Sequence, residues 1–231
     1  NKPDLNFLIN KRMFSKVMLL GDTQVLREIV SGKTPPGVRY QAEGVPFLGA
    51  SNVVDGGVDI ENCPKIDEKV HNGPLNASKI MKGDLLITMA GTIGRCAIYN
   101  HEEEANCNQA VAILRFQENV LLPEYAAYYL NSEIGHLFFE KLQHISSQPN
   151  INLTEIQIIN IILPDKPQQV AILKELNEIR KDLLAIKKNQ HDKIDEIQNS
   201  MLNELDFKTK APKTYFFSII APVCKTGYSY A

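Results

Sequence analysis

The stretch Lys82-Gly83-Asp84-Leu85-Leu86-Ile87-Thr88-Met89-Ala90-Gly91-Thr92-Ile93-Gly94-Arg95-Cys96-Ala97-Ile98-Tyr99 decides the fold. Lys82-Gly83-Asp84 reads as a tight turn, Leu85 to Thr88 as a strand, Ala90 to Gly94 as a glycine-bearing loop, and a second strand begins near Arg95. A third strand, Ala110 to Phe116, pairs beside them. Toward the N-terminus, most of the glycines fall between Gly21 and Gly94, among short β-branched runs such as Val53-Val54 and Val58-Asp59-Ile60. Asp55-Gly56-Gly57 has the composition of a hairpin turn, because glycine takes positive φ without a steric penalty. This half of the chain is β-rich.

Toward the C-terminus the period changes. Tyr125, Tyr128, Tyr129, Ile134, Leu137, Phe138 and Leu142 recur at steps near three and four, and Pro123 suits a first helical turn, so the spacing predicts a helix over 123–142. Gly135 interrupts it, leaving one helix or two open. A polar stretch from His144 to Asn150 precedes the β-branched run Ile158 to Leu163, read as a last strand. Beyond Asp165 about 40 residues lack glycine and, after Pro167, proline. Ile172, Leu176, Ile179, Leu183 and Ile186 alternate steps of four and three, the seam of a coiled coil. The seam passes Gln190 and resumes at Ile194, Ile197, Met201 and Leu205, an inserted step of four that locally unwinds a supercoil. A rod of roughly 60 Å follows from 1.5 Å per residue, and an unpaired seam would leave its apolar side chains wet, so it requires a partner helix. The expected class is α+β: a twisted, mostly antiparallel sheet with flanking helices over 15–164, a long coiled-coil helix over 165–207, and a tail over 208–231.

The 231 residues, 44% apolar and 23% charged, exclude a disordered or low-complexity chain and suffice for one core plus an appendage. No apolar run approaches the roughly 18 residues of a membrane span, and residues 1 to 20 lack the order of a signal peptide, which gives a cytoplasmic expectation. Asn1 and the aromatic-rich end suggest a chain trimmed at both ends. Cys63, Cys96, Cys107 and Cys224 lie far apart without a C-x-x-C or a histidine at ligand spacing, so they read as reduced thiols and no metal site is expected. The net charge of −2 argues mildly against a nucleic-acid partner. The acids, however, cluster after Glu61, as in Glu102-Glu103-Glu104, which leaves room for a basic face elsewhere.

Catalytic motifs are wanting. Gly91-Thr92-Ile93-Gly94 lacks the Gly-Lys-Ser/Thr ending of a phosphate loop. Asp59 with Asp67-x-Lys69 is the only approach to a metal-nuclease pattern, and its charged loop reads as solvated surface. No Asn/Asp-Pro-Pro-aromatic cluster of an amino-methyltransferase occurs, and the five histidines stand in separate segments.

Five stretches in order carry a resemblance to one target-recognition domain plus one conserved helix of the DNA-specificity (S) subunit of type I restriction-modification systems, from about Met18 to Asp206. They are Leu19-Leu20-Gly21-Asp22 with Ser31-Gly32-Lys33-Thr34-Pro35; Val45 to Val53; Lys82 to Thr88 with Gly91 to Gly94 and then Asn108-Gln109-Ala110-Val111; Gln148-x-Asn150-Ile151 before Ile161-Ile162-Leu163-Pro164; and Gln168-Gln169 with Ile172. The resemblance implies a non-catalytic subunit that reads part of a split double-stranded DNA target. It also implies antiparallel long helices holding two such domains apart, with methyltransferase and restriction subunits docking on it. Methylation and cleavage, with S-adenosylmethionine, ATP and Mg, would belong to those partners, and this chain would bind no cofactor. A single recognition domain is present, so the chain is either a half-size subunit pairing with itself or part of a longer chain. Tyr215-Phe216-Phe217 and Tyr228-Ser229-Tyr230 in the tail resemble the opening of a second domain and favour the latter.

On that resemblance the candidate DNA contacts are Thr92 and Arg95 first, then Lys33, Arg39, Ser51 and Asn52 in neighbouring loops, and Ser147, Gln148 and Asn150 in the polar stretch. Hydroxyls and amides of this kind bond phosphate oxygens or base edges. The competing reading is a globular head on a coiled-coil stalk that binds protein without DNA. The two part on salt, since phosphate contacts weaken as salt rises.

Overall fold

The computed structural model describes residues 16–143 and 149–204, and from 197 onward the backbone alone. The chain enters through β1 (Val17–Leu19) and β2 (Leu26–Ser31), followed by β3 (Val45–Leu48), the hairpin β4 (Val53–Val54) and β5 (Gly57–Val58), and β6 (Lys65–Ile66). A short helix α1 (Glu68–Asn72), capped by the Asp67 carboxylate accepting from the Lys69 N–H at 2.7 Å, leads into the next strands. These are β7 (Leu85–Thr88), β8 (Cys96–Ile98), β9 (Asn106–Cys107) and β10 (Val111–Phe116). Helices α2 (Pro123–Leu130), α3 (Glu133–Leu142) and α4 (Leu153–Gln157), strand β11 (Asn160–Ile162) and the long helix α5 (Lys166–Glu204) complete the order.

The expected β7-turn-β8 pair and its neighbour β10 form an antiparallel sheet in the order β2-β10-β7-β8. The β structure is divided further than a single sheet: β6-β3-β9 form a second one, with β3 and β9 parallel, and β1-β11 and β4-β5 are separate ribbons. In the hairpin, Gly56 takes φ of +92° while Gly57 enters β5.

β7 and β10 are continuous apolar runs because both faces of their sheet are covered. Leu85, Ile87, Ala112, Leu114 and Phe116 pack with Ala126, Leu130, Phe139 and Ile156 of the helices. On the other face Leu86, Val111 and Ile113 pack with Leu48, Val53, Tyr99 and Cys107. The one polar residue of β10 is Arg115. Its guanidinium grips both Asp84 carboxylate oxygens at 2.8 Å and donates to Glu28 Oε2 at 2.6 Å and to the Lys79 carbonyl at 2.6 Å. Asp84, the last residue of the Lys82-Gly83-Asp84 turn, also accepts from the Met81 N–H at 2.8 Å, so the turn is locked to the middle of the sheet.

The expected helix over 123–142 divides in two, but at Asn131-Ser132 and not at Gly135. Asn131 leaves α2 to pair its amide with both backbone groups of Cys96, at 3.0 and 2.7 Å, covering the free edge of β8. Ser132 then caps α3. Gly135 serves a close approach: a Cβ there would sit 2.1 Å from the Leu130 carbonyl oxygen. The last strand, β11, pairs antiparallel with β1, Met18 opposite Ile161.

Helix α5 begins with a reciprocal cap, the Gln168 N–H donating to Asp165 Oδ1 at 2.9 Å and the Asp165 N–H to Gln168 Oε1 at 3.1 Å. Gln169 is fully buried: its Oε1 accepts from the Leu122 N–H at 2.9 Å and its Nε2 donates to the carbonyls of Val120 and Pro164 at 2.8 and 2.9 Å. Residues through Leu176 belong to one compact unit and residues from Asn177 to a second. This corrects the start of the expected seam, because Ile172 packs on the first unit's own core and Leu176 is half-buried. In the second unit, Ile179, Leu183, Leu184, Ile186 and Ile194 are each about half exposed, between 48% and 57%. The side chains of Ile197 and Met201, and Leu205 with the whole 208–231 tail, lie outside what is described.

Candidate nucleic-acid interface

Loops from five parts of the chain meet at one edge of the first unit. The Ala90–Gly94 loop is pinned from beneath by Thr88, whose hydroxyl donates to the Thr92 carbonyl and accepts from the Arg95 N–H at 3.0 Å. Gly91 and Gly94 both take positive φ, and a Cβ on Gly94 would collide with the Phe139 ring at 2.4 Å. Thr92 is held exposed at the loop's tip. Gly91 lies against Ala50, which puts the Ala50–Asn52 turn, with exposed Ser51, alongside.

A cleft of about 400 Å³ opens next to this loop, lined by Ser31, Met89, Ala90, Gln109, Asn150 and Asn152 among others. Its walls are joined by backbone: the Ile151 N–H donates to the Met89 carbonyl at 2.9 Å, and Asn150 bridges to Ala90. Gly32 lies so flat on the β9–β10 turn that a Cβ would sit 2.0 Å from the Cys107 carbonyl oxygen. That contact brings Lys33 and Thr34, both exposed, to the same turn as Gln109. The Thr34 hydroxyl donates to Gln109 Oε1 at 3.1 Å.

Of the expected contacts, Lys33, Ser51, Thr92 and Asn150 are exposed on these converging segments. Arg39 is exposed on the β2–β3 connection. Asn52 is corrected: it is 6% exposed, and its amide is committed to the Gly49 N–H at 2.9 Å and the Asp59 carbonyl at 3.2 Å, so it shapes the turn and offers nothing to a groove. Arg95 is turned inward, Nη1 donating to the Val53 carbonyl at 3.1 Å and Nε lying 3.5 Å from Asp55 Oδ1. It ties the loop to the β4–β5 hairpin. Ser147 and Gln148 fall outside the described residues.

Sequence reasoning missed two polar centres. One is Arg115 with Asp84 and Glu28. The other joins buried His71 to Asn106 Oδ1 at 2.5 Å and to Glu104 Oε2 at 2.9 Å, with the Lys79 ammonium 3.1 Å from the same carboxylate oxygen. His71 and Lys79 hold the Glu104 carboxyl below the ordinary carboxylate range. Asn106 donates to the carbonyls of Leu75 and Ser78 at 3.1 and 3.0 Å, so this centre fastens the 67–79 segment to β9. A lone histidine and a lone arginine carry no spacing signal, so only tertiary contact reveals them. Among the described residues no His, Cys, Asp or Glu cluster suits a metal ion, and no helix is long and apolar enough to cross a membrane. Cys63, Cys96 and Cys107 are buried free thiols, and burial pushes Cys107 up to about 12.

Residues 21–196 match the family model described as the type I restriction modification DNA specificity domain. The chain is similar to the type I restriction enzyme EcoBI specificity subunit of Escherichia coli, with 22% identity over 186 residues that cover 80% of this chain and 39% of that protein. It is similar in fold to a solved chain from work on complex assembly and conformational transition of the type I R-M system, with a TM-score of 0.63 and 20% identity over 88% of this chain and 50% of that one. The crystal structure of the HsdS subunit from Thermoanaerobacter tengcongensis gives a TM-score of 0.58 and 20% identity over 87% and 50%. The chain thus spans two fifths to one half of these relatives.

Proposed function

Because the chain belongs to the type I restriction modification DNA specificity domain family, we propose that its first unit selects a double-stranded DNA sequence, one part of a split target, and directs partner subunits to it. The observation that carries this reading is a cleft lined by exposed Gln109 and Asn150, with exposed Lys33, Thr34, Ser51 and Thr92 on the loops that adjoin it, on a sheet buried on both faces. Lysine and hydroxyl groups bind phosphate oxygens, and amides read base edges. A rigid support for the loops gives those contacts a fixed register.

The second unit is the spacer. Its half-exposed Ile179, Leu183, Ile186 and Ile194 recur at the steps of a helix-pairing seam, and the mate is a second copy of the helix or another helix of a longer chain. Methylation and cleavage fall to a modification methyltransferase subunit and a restriction subunit, which carry S-adenosylmethionine, ATP and Mg. This chain acts by recognition without catalysis.

The test is to co-express the full-length protein with its neighbouring methyltransferase and sequence the methylated sites. A recurring bipartite motif that changes when residues 16–164 are exchanged for those of a relative supports the reading. A motif unaffected by the exchange refutes it.

A further inference from the structure

We propose that Gln109 is a specificity-determining residue that reads an adenine through its major-groove edge, with Thr34 as its positioning residue. The inference rests on the DNA-recognition reading above and gives a role to Gln109, which stands in the Asn108-Gln109-Ala110-Val111 stretch but is not among the DNA contacts expected from sequence. Gln109 is exposed at the cleft, on the turn between β9 and β10. That turn is stiff. The Asn108 carboxamide oxygen accepts from the Ala110 N–H at 2.9 Å, the Asn108 N–H donates to the Leu48 carbonyl at 2.9 Å, and Gly32 lies flat against it.

A free glutamine end samples many rotamers and loses that freedom on binding. Here the Thr34 hydroxyl, 3.1 Å from Oε1, holds the end in place before any ligand arrives. The bond occupies one lone pair of Oε1. It leaves the second lone pair beside the two Nε2 hydrogens, an acceptor next to donors. Adenine presents the complementary pair, its N6 amino group and N7. Guanine offers two acceptors in the same place, which would set O6 against Oε1, and cytosine offers only a donor. Half-buried Ala90 and Ala110 line the same cleft and give apolar surface suited to the methyl group of the paired thymine.

The experiment is selection from a randomised duplex pool by the purified full chain, comparing wild type with Gln109→Ala, Gln109→Glu and Thr34→Val. Wild type is expected to enrich a defined sequence. Gln109→Ala then loses roughly 5- to 150-fold of discrimination at one adenine position and keeps the rest. Gln109→Glu, an acceptor alone, moves that position toward cytosine, and Thr34→Val blurs the same position to a smaller extent. Enrichment by Gln109→Ala of the wild-type sequence with equal strength at every position overturns the assignment while leaving DNA recognition standing. A uniform loss of binding with an unchanged pattern overturns it too, since that marks a phosphate contact. A wild-type chain that enriches nothing removes the recognition reading itself, and this inference with it.

Discussion

Arg115 has 9% of its side chain exposed in a strand that is otherwise wholly apolar, and Asp84 opposite it has 5%. The bidentate bond, with the Glu28 and Lys79 acceptors, engages four of the five guanidinium N–H donors, and Asp84 raises the Arg115 pKa against the opposing effect of burial. Arg115→Ala strands Asp84 in a dry site, so it should destabilise the fold by about 3–5 kcal/mol in urea unfolding. Arg115→Lys should recover only part of that, because an ammonium cannot grip both oxygens. Glu104 is of the opposite kind, more exposed and tied to His71 and Lys79. Its folded pKa is depressed, so its stabilising contribution is present above the unfolded value of about 4.3 and is lost as pH falls through the folded one. Urea midpoints measured against pH should therefore decline less steeply in acid for Glu104→Gln than for wild type; superposable curves would show that the pairing is inert.

Elements differ in how openly the sequence announces them. β7 and β10 are legible because a run such as Leu85-Leu86-Ile87 needs apolar neighbours on both sides, and Gly83 and Gly91 punctuate them. The reciprocal cap at Asp165 and Gln168 is present in the letters as an acidic residue followed by glutamine three positions later, a signature the sequence reading passes over although Gln168 belongs to a stretch that carries the resemblance. The α2–α3 division was misplaced because glycine was read as a breaker. In the fold its missing Cβ serves the approach to Leu130, while Asn131 stops the first helix by leaving to cover β8. The pairing of β1 with β11 joins segments about 140 residues apart and has no local signal. At this scale Gln169→Leu leaves the Leu122 N–H and the Val120 and Pro164 carbonyls without their side-chain partner. A loss of roughly 1–3 kcal/mol per stranded group is expected, read as a lower thermal midpoint of the first unit. Leu183→Asp bears on the proposed pairing seam: sedimentation velocity should show the helix-mediated assembly dissociate, and an unchanged assembly state would rule Leu183 out of it.

Charge must be judged over the whole molecule. The net −2 concealed local neutralisation: Lys82 pairs with Glu102 and Lys79 with Glu104, so part of the acid-rich stretch is already balanced. Arg95, a candidate DNA contact by sequence, directs Nη1 at the Val53 carbonyl and Nε toward Asp55, whereas Lys33 stays exposed on the loop after Gly32. In DNA titrations across a salt series, Lys33→Ala should reduce the slope of log affinity against log salt by about 1, and Arg95→Ala should leave that slope near the wild-type value. A reversed ranking would return Arg95 to the phosphates. The double-sided sheet also bears on how such a domain changes over generations. Its folding free energy is lodged in side chains that never see solvent, and the exposed tips at Lys33, Ser51, Thr92, Gln109 and Asn150 contribute little to it. Substitutions at those tips can therefore accumulate with little effect on whether the protein folds at all, and on the proposed reading they would redirect what is recognised.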